Sequence, residues 1–321
     1  MRCMKLLTLV FAGCGVLWST LSVVEAQSWR TVTPMPTARS EIASTALDGK
    51  IYVGGGLSRF GTTAAFEVFD PKTKTWRKLA PLPQPHHHLA MATANGRIYV
   101  TGGYANMMFR PNRTNAWAYD PKSDTWSTIA DLPYPRAAHA MATVDGKLYV
   151  VGGVGPAPAT ILVYDPKTES WDATRAPLPT KREHLAMTAW DGKLFVVGGR
   201  GHGHDGNWER LEIYDTKANT WTRGPDMPHA SGGLTAAAFA GQVHVTGGEA
   251  FSPGRTFNHH QVYDPKTNAW SLLQALPTAR HGLTSAVTGR KWYVIGGGRK
   301  AGALTMISLS DDVEVFDATV R

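Results

Sequence analysis

Six positions that recur at a regular interval along the chain read Arg39, His86, Arg136, Arg182, Ser231 and Arg280. Two residues after each, the sequence reads Glu41, His88, Ala138, His184, Gly233 and Gly282. Guanidinium groups grip carboxylates through paired hydrogen bonds, so four arginines at equivalent places suit an anionic ligand. A second use is open to the same residues: each arginine can tie its own segment to a neighbour through backbone carbonyls. A carboxylate near a histidine suits proton transfer around neutral pH, because imidazole both gives and takes a proton there. His86 and His184 stand in the two recurring sets, and the segments after the recurring double glycine bring Arg200 and Glu249 to the same end of the repeat.

Metal chemistry is raised by His86-His87-His88 and by His202-Gly203-His204-Asp205. A catalytic zinc needs three converging protein ligands, and His86, His88 and His184 are the set expected to meet. The surrounding arginines would repel a divalent cation, so no metal is expected. Nothing in the chain matches a phosphate loop, a dinucleotide fingerprint or a nucleophile elbow, so no cofactor is expected either. Cys3 and Cys14 are the only cysteines, and both fall in the first 26 residues. Those residues carry Arg2 and Lys5, an apolar run from Leu6 to Val24 and a small-residue Val24-Glu25-Ala26 end, which reads as an export signal. The expected division is therefore a signal peptide over 1–26 and one domain over 27–321. Cleavage would leave an exported, periplasmic or secreted chain with no thiol and no membrane anchor.

Residues so spaced must be positioned by a repeated element. A Gly-Gly pair recurs at 55–56, 102–103, 152–153, 198–199, 247–248 and 296–297, each after an apolar run such as Ile51-Tyr52-Val53. An aromatic-Asp pair follows downstream, from Phe69-Asp70 to Phe316-Asp317, and Trp76, Trp126, Trp171, Trp221 and Trp270 each lie six residues past the Asp. Each unit reads as four short strands: one ending at an Asp-Gly-Lys type turn, one ending in the double glycine, one ending at Asp-Pro-Lys, and one carrying the Trp. Four strands in about 48 residues make a propeller blade. The last unit lacks its Trp strand, and Ser28-Trp29-Arg30-Thr31 supplies a match at the other end of the chain. The expectation is an all-β, six-bladed propeller with four antiparallel strands per blade, its last blade closed by the N-terminal strand, and a monomer.

The double glycine, the Tyr-Asp pair and the Trp six residues on resemble the kelch repeat family. A narrower resemblance lies in Gly248-Glu249-Ala250-Phe251-Ser252-Pro253-Gly254-Arg255, which is similar to a loop of the periplasmic N-acetylneuraminic acid mutarotases. That resemblance implies Glu249 and Arg255 as an active-site pair. It also implies a small acidic sugar as ligand, for which the recurring positions and the loops offer Arg39, Arg136, Arg182, Arg200, Arg280 and His86 as candidate binding residues and His184 as a further acid–base group. Galactose oxidase, another kelch enzyme, is set aside because the expected mature chain has no cysteine from which to form its Tyr-Cys cross-link. The alternatives are a non-catalytic module for a protein or cell-wall polysaccharide, and a lyase using a histidine and Tyr104. The formal net charge of +8 comes largely from lysines in the turns, such as Lys50, Lys72 and Lys147. No base-stacking aromatics interleave them, so nucleic acid is not an expected partner.

Overall fold

The computed structural model describes residues 28–201 and 206–318. The expected signal peptide and the His202–Asp205 segment lie outside them. The strands form six antiparallel sheets of four strands, the fifth-blade sheet gaining one more, plus a two-stranded ribbon. In the first blade Ala43–Leu47, Lys50–Gly54, Phe66–Asp70 and Thr75–Lys78 pair in chain order. The sixth blade runs Thr284–Thr288, Lys291–Ile295, Val313–Asp317 and then Trp29–Thr31, with Trp29 opposite Phe316 and Thr31 opposite Glu314. The all-β six-bladed propeller and its N-terminal closure are thus as the repeat predicts. Among the described residues no helix is long and apolar enough to cross a membrane.

Local chemistry explains the blade. Asp48 and Gly49 both take positive φ, 51° and 75°, the turn whose twist matches two antiparallel strands. The Asp70 carboxylate accepts the Lys72 N–H at 2.9 Å, and the Asp at 120, 165, 215 and 264 repeats that bond. Each repeat Trp donates its indole N–H to a carbonyl in the link leaving the preceding blade. Trp76 reaches Thr33, Trp126 reaches Ala80, Trp171 reaches Ala130, Trp221 reaches Ala176 and Trp270 reaches Pro225. Trp29 completes the set by donating to Gln274 at 2.9 Å. Apolar faces of neighbouring blades then bury each other. One such core holds Tyr52, Phe66 and Val68 of the first blade against Ile98, Val100 and Trp117 of the second.

One expectation is corrected. Glu249 to His260 is not a long loop: the strand Gln242–Phe251 runs on through its double glycine and folds back at Gly254–Thr256 as a hairpin.

Candidate axial acid–base site

The first chain element that builds the site is backbone. The second glycine of each pair donates its N–H to a carbonyl in the next blade: Gly56 to His86, Gly103 to Arg136, Gly153 to Arg182, Gly199 to Ser231, Gly248 to Arg280 and Gly297 to Arg39. A Cβ on Gly55 would stand 2.5 Å from the His86 carbonyl oxygen, so only glycine permits this approach. Two residues past each of those carbonyls the chain kinks into the left-handed region, at Glu41, His88, Ala138, His184, Gly233 and Gly282, with φ from 50° to 71°. These six join N–H to carbonyl round the axis: 41 to 282, 282 to 233, 233 to 184, 184 to 138, 138 to 88, and 88 to 41. The expected ring of equivalent positions is therefore a closed hydrogen-bonded collar.

The arginines do not face it. Arg39 is fully buried inside its own blade, donating to Glu67 at 2.6 Å and to the carbonyls of Gly55 and Ala65. Arg280 pairs with Glu314 at 2.8 Å and donates to Gly296, and Arg182 pairs with Glu212. Arg136 pairs with no carboxylate among the described residues and donates to the carbonyls of Thr160 and Ala157, and burial pulls its pKa down to about 10. His86 packs on Trp117 at 5.0 Å and sits 2.8 Å from the Gly102 carbonyl. The expectation that these five side chains converge on a ligand is corrected: burial without partners would be costly, and the blade supplies the partners internally. Arg255 is corrected as well. The hairpin register places Arg255 opposite Ala250 and Glu249 opposite Thr256, so the two side chains leave opposite faces. Arg255 is exposed, its guanidinium 5.1 Å from the Phe257 ring centre.

What does converge is a circuit of seven side chains. Glu41 Oε2 lies 3.2 Å from His88 Nε2, which lies 3.0 Å from His184 Nε2. His184 Nδ1 bonds Glu183, whose other oxygen accepts from Arg200 Nε at 2.8 Å. Arg200 Nη1 donates to Glu249 at 3.0 Å, and Glu249 Oε2 lies 3.2 Å from His281 Nδ1. His281 Nδ1 closes the circuit at 3.6 Å from Glu41. Glu249 Oε2 also accepts the Gly302 N–H at 2.8 Å. His184, Arg200 and Glu249 are thus brought together as expected, while His86 is not.

Electrostatics within the circuit are divided. Burial pushes the Glu183 and Glu249 carboxyls up, but His184 and Arg200 for the first, and His281, Arg200 and the Gly302 N–H for the second, hold both down to about 2. Burial lowers His281, yet Glu249 and Glu41 raise it above its ordinary value. His88 goes the other way, well below its ordinary value, through burial and the neighbouring His184 and His87. One site thereby holds ionised carboxylates, a protonated-leaning imidazole and a neutral imidazole, the divided set that acid and base catalysis need. A cavity of about 90 Å³ adjoins it, lined by Glu41, His88, Ala138, His184, Gly233 and Gly282 among others.

Glu183 and His281 escaped the sequence reading because alternation along an extended strand placed them on the outward side. The left-handed kink one residue later breaks that alternation. A second signal was available: the residue three before the Asp of the aromatic-Asp pair is Glu67, Glu212 and Glu314 in three of the blades that carry the arginine.

Comparison with known proteins places the fold. A family model of the KLHDC2/KLHL20/DRC7 kelch-repeats domain matches residues 15–153 and 155–320, and a kelch motif model matches 135–173. A solved structure titled "Structure of YjhT" aligns with a TM-score of 0.76 at 17% identity, covering 88% of this chain and 96% of that one, which shows a shared fold. The F-box/kelch-repeat protein At4g39580 of Arabidopsis thaliana is 46% identical over 59 residues, and the match spans 18% of this chain and 16% of that protein. The chain belongs to the kelch-repeat family.

Proposed function

We propose that this protein is an exported enzyme that interconverts the anomers of a small acidic sugar at the axial circuit. The observation that carries the reading is the contact of Glu249 with His281 and Arg200, in one connected set with Glu41, His88 and His184 beside the axial cavity. Mutarotation moves one proton off the anomeric hydroxyl and another onto the ring oxygen, so it needs an acid and a base side by side. His281 leans toward the protonated form and His88 toward the neutral one. The inner arginines are committed to their blades, so the sugar carboxylate is assigned to the cations of the surrounding loops, Arg59, Arg110 and Arg255, all exposed.

The test follows anomer exchange by NMR for N-acetylneuraminate and for hexuronates, with neutral sugars as controls. Positioned acid–base groups contribute about 10²–10⁴-fold, so Glu249→Gln is expected to lower the rate by about 10²-fold. Exchange by the substituted protein at the original rate would falsify the assignment. A second reading, a non-catalytic interaction module, is favoured by the exposed apolar loop residues Phe60 and Met108, 85% and 80% exposed. It predicts no rate acceleration with any sugar.

A further inference from the structure

We propose that Glu41, His88 and His184 form a binding site for a divalent transition-metal ion of the zinc class. The three donor atoms lie within 4.8 Å of one another, with His88 Nε2 3.0 Å from His184 Nε2 and 3.2 Å from Glu41 Oε2. Donors round a tetrahedral zinc with bonds of about 2.0–2.1 Å stand about 3.3 Å apart. Both distances from His88 are already close to that, and the third pair needs at most a modest closure.

Proton accounting sharpens the case. The Asn106 carbonyl only accepts, so His87 Nε2, 2.9 Å from it, carries the N–H. The neutral His87 ring then offers a lone pair at Nδ1, and His88 Nδ1, 2.6 Å away, is the donor. That leaves His88 Nε2 with a lone pair. On the other side the Glu183 carboxylate holds a proton on His184 Nδ1. Two imidazole lone pairs and a carboxylate oxygen therefore lie within 4.8 Å of one another. A single extra proton on His184 satisfies one of the two remaining acceptors, whereas a cation satisfies all three donors at once.

The surroundings fit the same assignment. Ligating histidines characteristically anchor their second nitrogen on a carboxylate or carbonyl, as His184 does on Glu183 and His88 does through His87 on Asn106. Glu41, His88 and His184 sit at φ of 52°, 55° and 50° where the same collar elsewhere uses Gly233 and Gly282. Side chains held in that region gather at functional sites. Ala138, Gly233 and Gly282 fill the remaining collar positions with nothing larger than a methyl group, so a fourth coordination position opens on the cavity. Three protein ligands and an open position mark a catalytic metal site, not a closed structural one. The expected repulsion by arginines is removed, because Arg200 is held between Glu183 and Glu249.

Metal binding does not depend on the anomer-exchange reading and is tested with the metal alone. The purified protein, stripped with a chelator, is titrated with zinc by calorimetry at neutral pH, and with cobalt by visible absorption. One equivalent should bind, with the intense bands of four-coordinate cobalt. Glu183→Gln should weaken zinc binding by about 10–100-fold, the usual effect of removing a group that orients a ligand. The double substitution His88→Ala with His184→Ala should abolish binding, while His229→Ala, outside the collar, should retain it; thermal melts confirm that each variant folds. Absence of stoichiometric binding by the unsubstituted protein overturns the proposal, as does undiminished binding by the double variant. Should that variant fail to fold, the cobalt spectrum of the unsubstituted protein decides: weak six-coordinate bands overturn the site.

Discussion

Arg39, Arg182 and Arg280 look alike in the sequence to a ligand-binding arginine, and only their partners tell them apart. Each is closed by a glutamate from the third strand of its own blade: Glu67, Glu212 or Glu314. Arg39→Ala is expected to cost about 3–5 kcal/mol, because it leaves the buried Glu67 carboxylate without its counter-charge. Glu67→Leu should cost less. It reproduces the third blade, where Leu162 stands in that place, and it leaves Arg39 its bonds to the Gly55 and Ala65 carbonyls. Urea denaturation midpoints of the two variants make the comparison, and a larger loss from Glu67→Leu would contradict it. The arginine positions and their tie to backbone carbonyls were legible from the repeat; the recurring glutamates were there to be read but went unpaired, because each lies 28 to 34 positions from its arginine and only strand pairing brings it near.

At the scale of an element, the fifth blade departs furthest from its neighbours. Its His244 Nδ1 lies 2.9 Å from His260 Nε2, and Phe239, Trp292 and Phe316 wall the pair in. Burial, with His260 beside it, lowers His244 to about 3; burial, against a bond to the Gln274 carbonyl, lowers His260 to about 4. An unfolded histidine titrates near 6.5, so below that pH the unfolded chain binds protons that the folded blade refuses. Stability from this pair is full above about pH 6.5 and falls as the pH drops toward 4, by at most about 1.4 kcal/mol per pH unit for each histidine. Denaturant unfolding between pH 7.5 and 4.5 checks this, and His244→Leu should flatten the slope by one proton's worth. A slope unchanged by the substitution would count against it. The blade count, the strands and the turns were readable from the glycine, Asp and Trp spacing. The Gly254–Thr256 hairpin was not, because its strand continues through a double glycine that ends the strand in other blades.

For the whole molecule the decisive contact is the one that shuts the ring. Trp29 packs against Trp292, Phe316 and His260 and donates to Gln274, joining the first described strand to the fifth and sixth blades. Trp29→Ala is expected to cost about 3–5 kcal/mol, as large buried aromatics do. It should also free the edge of Val313–Asp317 for pairing with other chains, seen as dimers or aggregates by size-exclusion chromatography. A variant as stable as the parent and with the same elution volume would show that closure lies elsewhere. The shut ring has one more consequence. In the collar every N–H points the same way round, from each residue to the one before it. Six hydrogen bonds directed the same way round a closed circle have no net direction, whereas peptide dipoles stacked in a helix make two poles. The collar thus has no pole of its own: it brings six side-chain positions round the axis, and the residues that occupy them set the charge there. Substituting Glu41 or His184 would re-tune that charge without disturbing the bonds that hold the blades in a circle.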